Sequence, residues 1–275
     1  MSRPFLVVGA MKSGTTTLES LLANHPDASI AVEKETTAFD GTDSAEEAAG
    51  RILCSRTEVA GEVSTGYMQS PWVTSDPRQA VRLLGADLRV LAVLRDPLTR
   101  AISHWRHWEQ LGRNPAGLTT SLTDPESAHV AFSRYHEQLV RWADVLPEGQ
   151  LHVLRLEDYA LDPREWQRSL TEFLRIEPLP TSEMVTSNEA DTRVVARGLS
   201  QRISRSSFYR KAIRPLVPSS GRKIGTRVLG GQKGGGAPTE TPSAEVVERF
   251  RSLIAADAER LRERWPHATW TDERG

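Results

Sequence analysis

Two short stretches gather the residue types that bind anions. The first, 12-KSGTTTL-18, follows the apolar run 5-FLVVGA-10 and leads into a pattern with Leu18, Leu21 and Leu22 at helical spacing. Gly9 and Gly14 keep the glycine spacing of a nucleotide-binding loop, GxxxxGK[ST], but Thr15 occupies the lysine position and Lys12 lies inside the loop. A strand, a tight turn and a helix N-terminus aim several backbone N–H groups at one point, where the helix dipole favours an anion. Ser13, Gly14, Thr15 and Thr16 form such a cradle, Thr17 completes three consecutive threonines, and Lys12 adds charge. The bland alternative is a glycine turn that binds nothing. The second stretch is 95-RDPLTRAISHWRH-107, directly after the apolar run 90-VLAVL-94. Arg95 offers a forked donor suited to phosphate, and Ser103 adds a hydroxyl about two helical turns further on. Arg95 could instead pair with Asp96. Taken together, the two stretches imply two separate anion sites.

Both loops need a scaffold that delivers them to one place. Short β-type runs occur at 5–10, 29–32, 58–63, 88–95 and 151–158. The run 90–94 is apolar on both faces, as a strand covered by helices on each side must be. Between the runs lie helical patterns. One spans 128–146, with Ala128, Phe132, Tyr135, Leu139, Trp142 and Leu146 in one stripe; another spans 163–174, with Asp162 as N-cap and Pro163 in the first turn. A last helix at 243–265 turns Val246, Val247, Phe250, Leu253, Ile254, Leu261 and Trp265 inward. Strands alternating with helices predict an α/β fold around a parallel sheet, with Arg95 at a strand's C-terminal end, where open sheets place their ligand crevice.

The 275 residues carry 35 basic and 36 acidic side chains, so non-specific nucleic-acid binding is not expected. Charge is nevertheless local. Residues 193–238 hold eleven Lys or Arg and no Asp or Glu, and the Gly-, Pro- and Ser-rich part of this stretch reads as a long surface loop. Either an anionic ligand or surface lies near it, or it is simply a solvated basic segment. Cys54 is the single cysteine, so no intrachain disulfide forms and a reducing compartment fits. No apolar run approaches the roughly 20 residues that span a bilayer, and the expected setting is cytoplasmic, with no integral membrane segment. His104 and His107 lie three apart on one helix, but no further metal ligands are evident, and no metal is expected.

The two loops together resemble those of sulfotransferases that use 3′-phosphoadenosine 5′-phosphosulfate (PAPS), closest in pattern to heparan-sulfate and other carbohydrate sulfotransferases and their bacterial relatives. The resemblance runs from about residue 5 to 265. It implies a P-loop-like three-layer fold with a central parallel sheet of about five strands flanked by helices, in a single domain over 1–275. Residues 186–242 would form a variable basic insertion within it. In that family a KxGTTxL-type loop, here 12–18, holds the 5′-phosphosulfate. An RxPxxRxxSxYxH-type motif, here 95–107, holds the 3′-phosphate through the residues matching Arg95 and Ser103; Trp105 replaces the usual Tyr, a packing change. The stretch 33-EKETTAFD-40 is similar to the KExxFF-type segment, whose Glu, here Glu35, is the catalytic base; Glu33 would take its place in a shifted register. The stretch 61-GEVSTGYM-68 resembles a GEKSPxYF-type strand end, with Val63 where many relatives carry Lys. A late 232-QKGGG-236 resembles the KGR-type loop that closes over the nucleotide, matching Lys233 and Gly234. Asp40, Glu62 and His107 are further candidates for the acceptor site.

The resemblance implies transfer of a sulfuryl group from PAPS to a hydroxyl of a carbohydrate, glycolipid or secondary metabolite, leaving 3′,5′-ADP. Lys12 would stabilise the leaving phosphate and Glu35 would take the acceptor proton. A small-molecule or glycan acceptor is the expected partner. Two alternatives remain at this level: a P-loop kinase, and a nucleotide-binding protein without catalysis. The displaced lysine and the Arg95–Asp96 order at the strand end count against the kinase.

Overall fold

In the computed structural model, which describes residues 1–114, 116–178 and 240–270, five parallel strands stand in the order β2-β3-β1-β4-β5. They are β1 (Arg3–Gly9), β2 (Ala28–Ile30), β3 (Val59–Val63), β4 (Arg89–Leu94) and β5 (Leu151–Arg155). All five lie within the runs expected from sequence or overlap them. The described residues all belong to one compact unit.

Side-chain alternation on β1 builds the two faces. Phe5 and Val7 pack with Val59, Val63, Leu91 and Val93 against α1 (Thr15–Ala23) and the later α9 (Pro163–Leu174). Leu6 and Val8 face the other way, with Val90, Ala92 and Leu94, onto a cluster that includes Ile52 of α2 (Ser44–Leu53) and Leu84 of α3 (Pro77–Leu84). The central strands β1 and β4 are therefore covered on both sides, and Val90 to Leu94 have no exposed surface. This is the three-layer arrangement that a doubly apolar strand requires.

A third cluster lies beside the sheet. Here Ala101 and Trp105 of α4 (Pro97–Gln110) meet Leu118 and Leu122 of α5 (Leu118–Thr123). Val130 of α6 (Ala128–Ala131) joins them, with Val246, Phe250 and Ile254 of the last described helix. Trp105 is buried and its indole N–H reaches the Ala116 carbonyl, the packing role expected for it.

The expected helix over 128–146 is broken: α6 ends at Ala131, and α7 (Tyr135–Ala143) starts after a turn. The reason is Arg100, whose fully buried guanidinium donates to the His129 carbonyl at 2.6 Å and to Ser133 Oγ at 2.8 Å. A continuous helix would use that carbonyl internally. The apolar stripe survives the break, since Phe132, Tyr135, Leu139 and Trp142 are all buried. β5 ends three residues before the expected strand end, α8 (Leu156–Leu161) follows at once, and Asp162 then caps α9 through the Arg164 and Glu165 amides as predicted.

The C-terminal helix α10 (Ala244–Arg264) buries Val246, Phe250, Ile254 and Leu261, and Trp265 follows it inward; Val247 and Leu253 stay partly exposed. Its one buried charge, Asp257, accepts from the His136 and Glu137 amides at 3.0 and 2.9 Å, so a side chain from α10 caps α7.

Candidate active site

β3, β1 and β4 are neighbours and run the same way, so the loops leaving their C-terminal ends emerge side by side. The chain winds from β1 outward to β2 and β3, then crosses β1 to reach β4. That reversal creates a crevice at the strand ends. The loop after β1, the segment after β3 and the Arg95 turn after β4 all open onto it.

The loop after β1 is shaped by backbone. Gly14, the N-cap of α1, sits at φ 86 in the left-handed region, and a Cβ there would meet the Leu156 Cδ1 at 2.5 Å. No side chain caps α1 and no acidic residue lies in its first turn. The first-turn N–H groups of Thr15 and Thr16 have no intrahelical acceptor by geometry. They are available to an anion. Ser13 is fully buried beneath the loop, next to the Tyr135 hydroxyl, which donates to the Arg95 carbonyl at 2.8 Å. Tyr135 thus holds the Arg95 turn from below, beside the buried Ser13.

Arg95 is not paired with Asp96. Asp96 is instead the N-cap of α4, accepting from the Thr99 N–H and hydroxyl, while its own N–H donates to Glu157. The Arg95 guanidinium approaches the Lys12 carbonyl at 3.5 Å, which brings the two sequence stretches together. Beside it is a cleft of about 240 Å³ lined by Arg95, Thr99, Ile102, Ser103, Arg106, Thr241 and Pro242. Two guanidiniums and several hydroxyls face it, and among the described residues no carboxylate does. That donor set fits a phosphate.

The segment 33–40 crosses in front of β3 and is anchored by four backbone N–H groups. Glu35 donates to the Val63 carbonyl, Thr37 to Ser64 Oγ, Ala38 to Glu62 and Phe39 to the Tyr67 hydroxyl. Lys34 ties it to α1 through Thr16 Oγ1 at 3.1 Å and Glu19 at 2.6 Å. Glu35 itself is exposed, and its Oε2 accepts from the Thr65 N–H and hydroxyl, both at 2.9 Å. Among the described residues, four non-glycine residues have positive φ: Lys12 (67), Glu35 (62), Thr37 (50) and Arg175 (56). Arg175 merely ends α9. The other three lie in the two loops that form the site, and each costs on the order of 1–3 kcal/mol that the surrounding bonds must offset.

A family model for the sulfotransferase domain matches residues 2–211. The chain belongs to the sulfotransferase family. Members of that family transfer a sulfuryl group from PAPS to hydroxyl or amine acceptors. The sulfotransferases it resembles include mouse heparan sulfate glucosamine 3-O-sulfotransferase 3B1, 26% identical over 194 residues that make up 67% of this chain and 49% of that protein. The human 3A1 enzyme of the same name is 26% identical over 188 residues, 65% of this chain and 45% of that protein. The chain spans about half the length of the curated relatives it matches. In fold it is similar to the sulfotransferase from Alicyclobacillus acidocaldarius, with TM-score 0.64 at 21% identity and 96% of each chain covered. Mouse sulfotransferase SULT7A1 complexed with PAP gives TM-score 0.51 at 16% identity, over 98% of this chain and 89% of that one.

Within this sulfotransferase crevice the remaining sequence candidates have different stations. Glu62 has no exposed surface: its carboxylate accepts from Thr36 Oγ1 at 2.7 Å and from the Tyr67 hydroxyl at 2.5 Å, and burial raises its pKa. It holds the 33–40 segment from behind, through Thr36 and the Ala38 N–H. Asp40 closes a turn on Thr42, whose hydroxyl bond lowers its carboxyl pKa. His107, partly buried on α4, has its pKa lowered by burial first and then by the Lys12 charge, which places it near the loop. Val63, at the end of β3, is buried in the core cluster that includes α1. Lys233 and Gly234 lie outside the described residues. Among the described residues no group of three or more His, Cys, Asp or Glu is placed to hold a metal, and no helix is long and apolar enough to cross a membrane.

Sequence reading missed Arg106, Lys34 and Thr65. Arg106 had a signal: Thr99, Ile102, Ser103 and Arg106 share the i, i+3, i+4, i+7 face of one helix. Lys34 and Thr65 had none, because their partners are 15 to 30 residues away in sequence.

Proposed function

We propose that this chain transfers a sulfuryl group from PAPS to a hydroxyl of a carbohydrate, glycolipid or secondary-metabolite acceptor, with Glu35 as general base and Lys12 stabilising the leaving phosphate. The observation that carries this reading is the cleft of Arg95, Ser103 and Arg106, free of carboxylates among the described residues and joined to the Lys12 loop through Arg95. Two separated anion sites suit a nucleotide phosphorylated at both ends of its ribose. A triphosphate would need them contiguous.

When bound, PAPS supplies a sulfuryl group already activated by its bond to phosphate. The first-turn N–H groups of Thr15 and Thr16 and the hydroxyls of Thr15, Thr16 and Thr17, with Ser13 and Gly14, hold the 5′ end. Arg95 and Ser103 hold the 3′-phosphate, and Lys233 and Gly234 cover the nucleotide. Lys12 faces the oxygen that retains the electron pair of the breaking S–O bond; such a fixed donor is typically worth ~3–4 kcal/mol in the transition state. Glu35 receives the acceptor's hydroxyl proton as that oxygen bonds to sulfur. Asp40 and His107 flank the acceptor. We assign one sulfotransferase domain to residues 1–275, and its single cysteine fits a cytoplasmic setting.

The base is tested with labelled PAPS and a panel of phenols, glycosides, glucosamine oligosaccharides and glycolipids. Glu35→Gln should keep 3′,5′-ADP affinity and lose turnover by ~10²- to 10⁴-fold. Unchanged turnover would remove Glu35 from the mechanism. Thermal shift separates the kinase alternative: stabilisation by 3′,5′-ADP without metal supports the reading, and stabilisation by Mg-ATP alone opposes it.

A further inference from the structure

We propose that Thr65, itself oriented by Gln69, is the positioning residue that fixes which oxygen of Glu35 receives the acceptor proton. The inference rests on the reading of Glu35 as base. Thr65 opens the short 3₁₀ turn Thr65–Met68 directly after β3, and its side chain is buried. Its N–H and its hydroxyl both reach Glu35 Oε2, each at 2.9 Å. One turn later, Gln69 Nε2 donates to Thr65 Oγ1 at 3.2 Å.

The stoichiometry of donors decides the outcome. A carboxylate oxygen has about two lone-pair sites, and Thr65 fills both on Oε2. The incoming proton is therefore directed to Oε1. A hydroxyl has one proton to give, and the amide of Gln69 on its oxygen turns that proton away from Gln69 and toward Glu35. The chain Gln69 to Thr65 to Glu35 thus sets both the position and the lone-pair use of a residue whose backbone is in the left-handed region at φ 62. Among the described residues the hydrogen bonds to the Glu35 carboxylate come from Thr65 alone. An exposed glutamate without this clamp would sample several rotamers, and a displacement of about 1 Å from productive geometry costs on the order of 100-fold in rate.

The test measures kcat and KM with labelled PAPS and the fastest acceptor of the panel, or labelled sulfate release to water if no panel member reacts. Calorimetry with 3′,5′-ADP runs alongside. Thr65→Val keeps the backbone donor and removes the hydroxyl; kcat should fall ~10- to 100-fold with 3′,5′-ADP affinity within ~2-fold. Thr65→Ser should restore kcat to within ~3-fold of the parent. Gln69→Leu should lower kcat by ~3- to 10-fold and add nothing to Thr65→Val, because the two groups act in series. A merely structural role would not confine the losses to kcat with 3′,5′-ADP affinity kept. Should Thr65→Val not fold, Gln69→Leu decides alone, and an unchanged kcat overturns the inference. A loss seen only in KM, or no rescue by Ser, also overturns it. If Glu35→Gln turns over normally, base and clamp fail together; if Glu35→Gln is inactive while Thr65→Val is normal, only the clamp fails.

Discussion

Arg95→Ala tests the division of labour between the two anion sites. The guanidinium stands at the end of β4, lines the cleft with Ser103 and Arg106, and has no carboxylate partner among the described residues. Its charge is therefore available to a ligand, and each charge-assisted bond lost would cost ~1.5–3 kcal/mol. One or two such bonds to a 3′-phosphate, ~1.5–6 kcal/mol together, predict that affinity for 3′,5′-ADP falls by ~10- to 10⁴-fold. Nearby Arg106 keeps some field in the cleft, so the lower half of that range is expected. 5′-AMP, which lacks the 3′-phosphate, should lose less than ~3-fold, because its phosphate is held by the α1 end. Calorimetric titration of both nucleotides into both proteins, at one salt concentration, measures the difference directly. Thermal shift confirms that the variant is folded, which the partly exposed side chain makes the expected result. Equal losses for the two nucleotides would refute the assignment, and a larger loss for 5′-AMP would place Arg95 at the 5′ end instead.

Gly14→Ala forces a residue with Cβ to keep φ 86 against Leu156; the left-handed conformation alone costs ~1–2 kcal/mol. A melting-temperature drop of about 2–8 °C is expected, together with weaker 3′,5′-ADP binding, and an unchanged melting curve would show that the turn relaxes freely. A separate prediction concerns acid. Burial, and then the Arg100 charge, lowers the pKa of His104 to about 2 and of His129 to about 4, while burial and then His267 lowers His152 to about 4. The unfolded chain takes up protons below the ordinary histidine value of 6.5 and the native state does not, so stability present above that pH is lost as pH falls from 6.5 toward 4. Each histidine contributes up to ~1.4 kcal/mol per pH unit within the window. Glu62 and Asp257, raised by burial, have the opposite sign and offset part of the loss near pH 4.5. Urea unfolding from pH 6.5 to 4.5 should show the decline and a shallower slope for His152→Asn; equal slopes would show that His152 titrates alike in both states.

Much of the scaffold is legible because it is periodic. Doubly apolar 90–94, the Asp162-Pro163 start of α9 and the inward stripe of α10 each obey a local rule, and each element is present. The break in 128–146 was not legible, since the demand comes from Arg100, about 30 residues earlier, whose buried charge needs the His129 carbonyl. Asp257 is a similar case: a charged residue on an otherwise apolar face looks like a solvated exception until the amides of α7 are found in front of it. Glu62 is a candidate for the acceptor site in the sequence, but its burial is not legible there, because the Tyr67 and Thr36 hydroxyls that satisfy its carboxylate meet it only in the fold.

By itself, the sequence determined the kinds of groups in the crevice: a lysine inside a glycine-spaced loop, three threonines at a helix start, an arginine and a serine on the next strand–helix unit. Those follow from local order, since strand, turn and helix are set by neighbours within about ten residues. Only the tertiary structure decided which groups meet. The parallel order β3-β1-β4 places three loop ends side by side, Arg95 at Lys12, Lys34 at Thr16 and Thr65 at Glu35. A hydrogen bond depends on a few tenths of an ångström, and no spacing along the chain encodes that distance between segments brought together by the sheet.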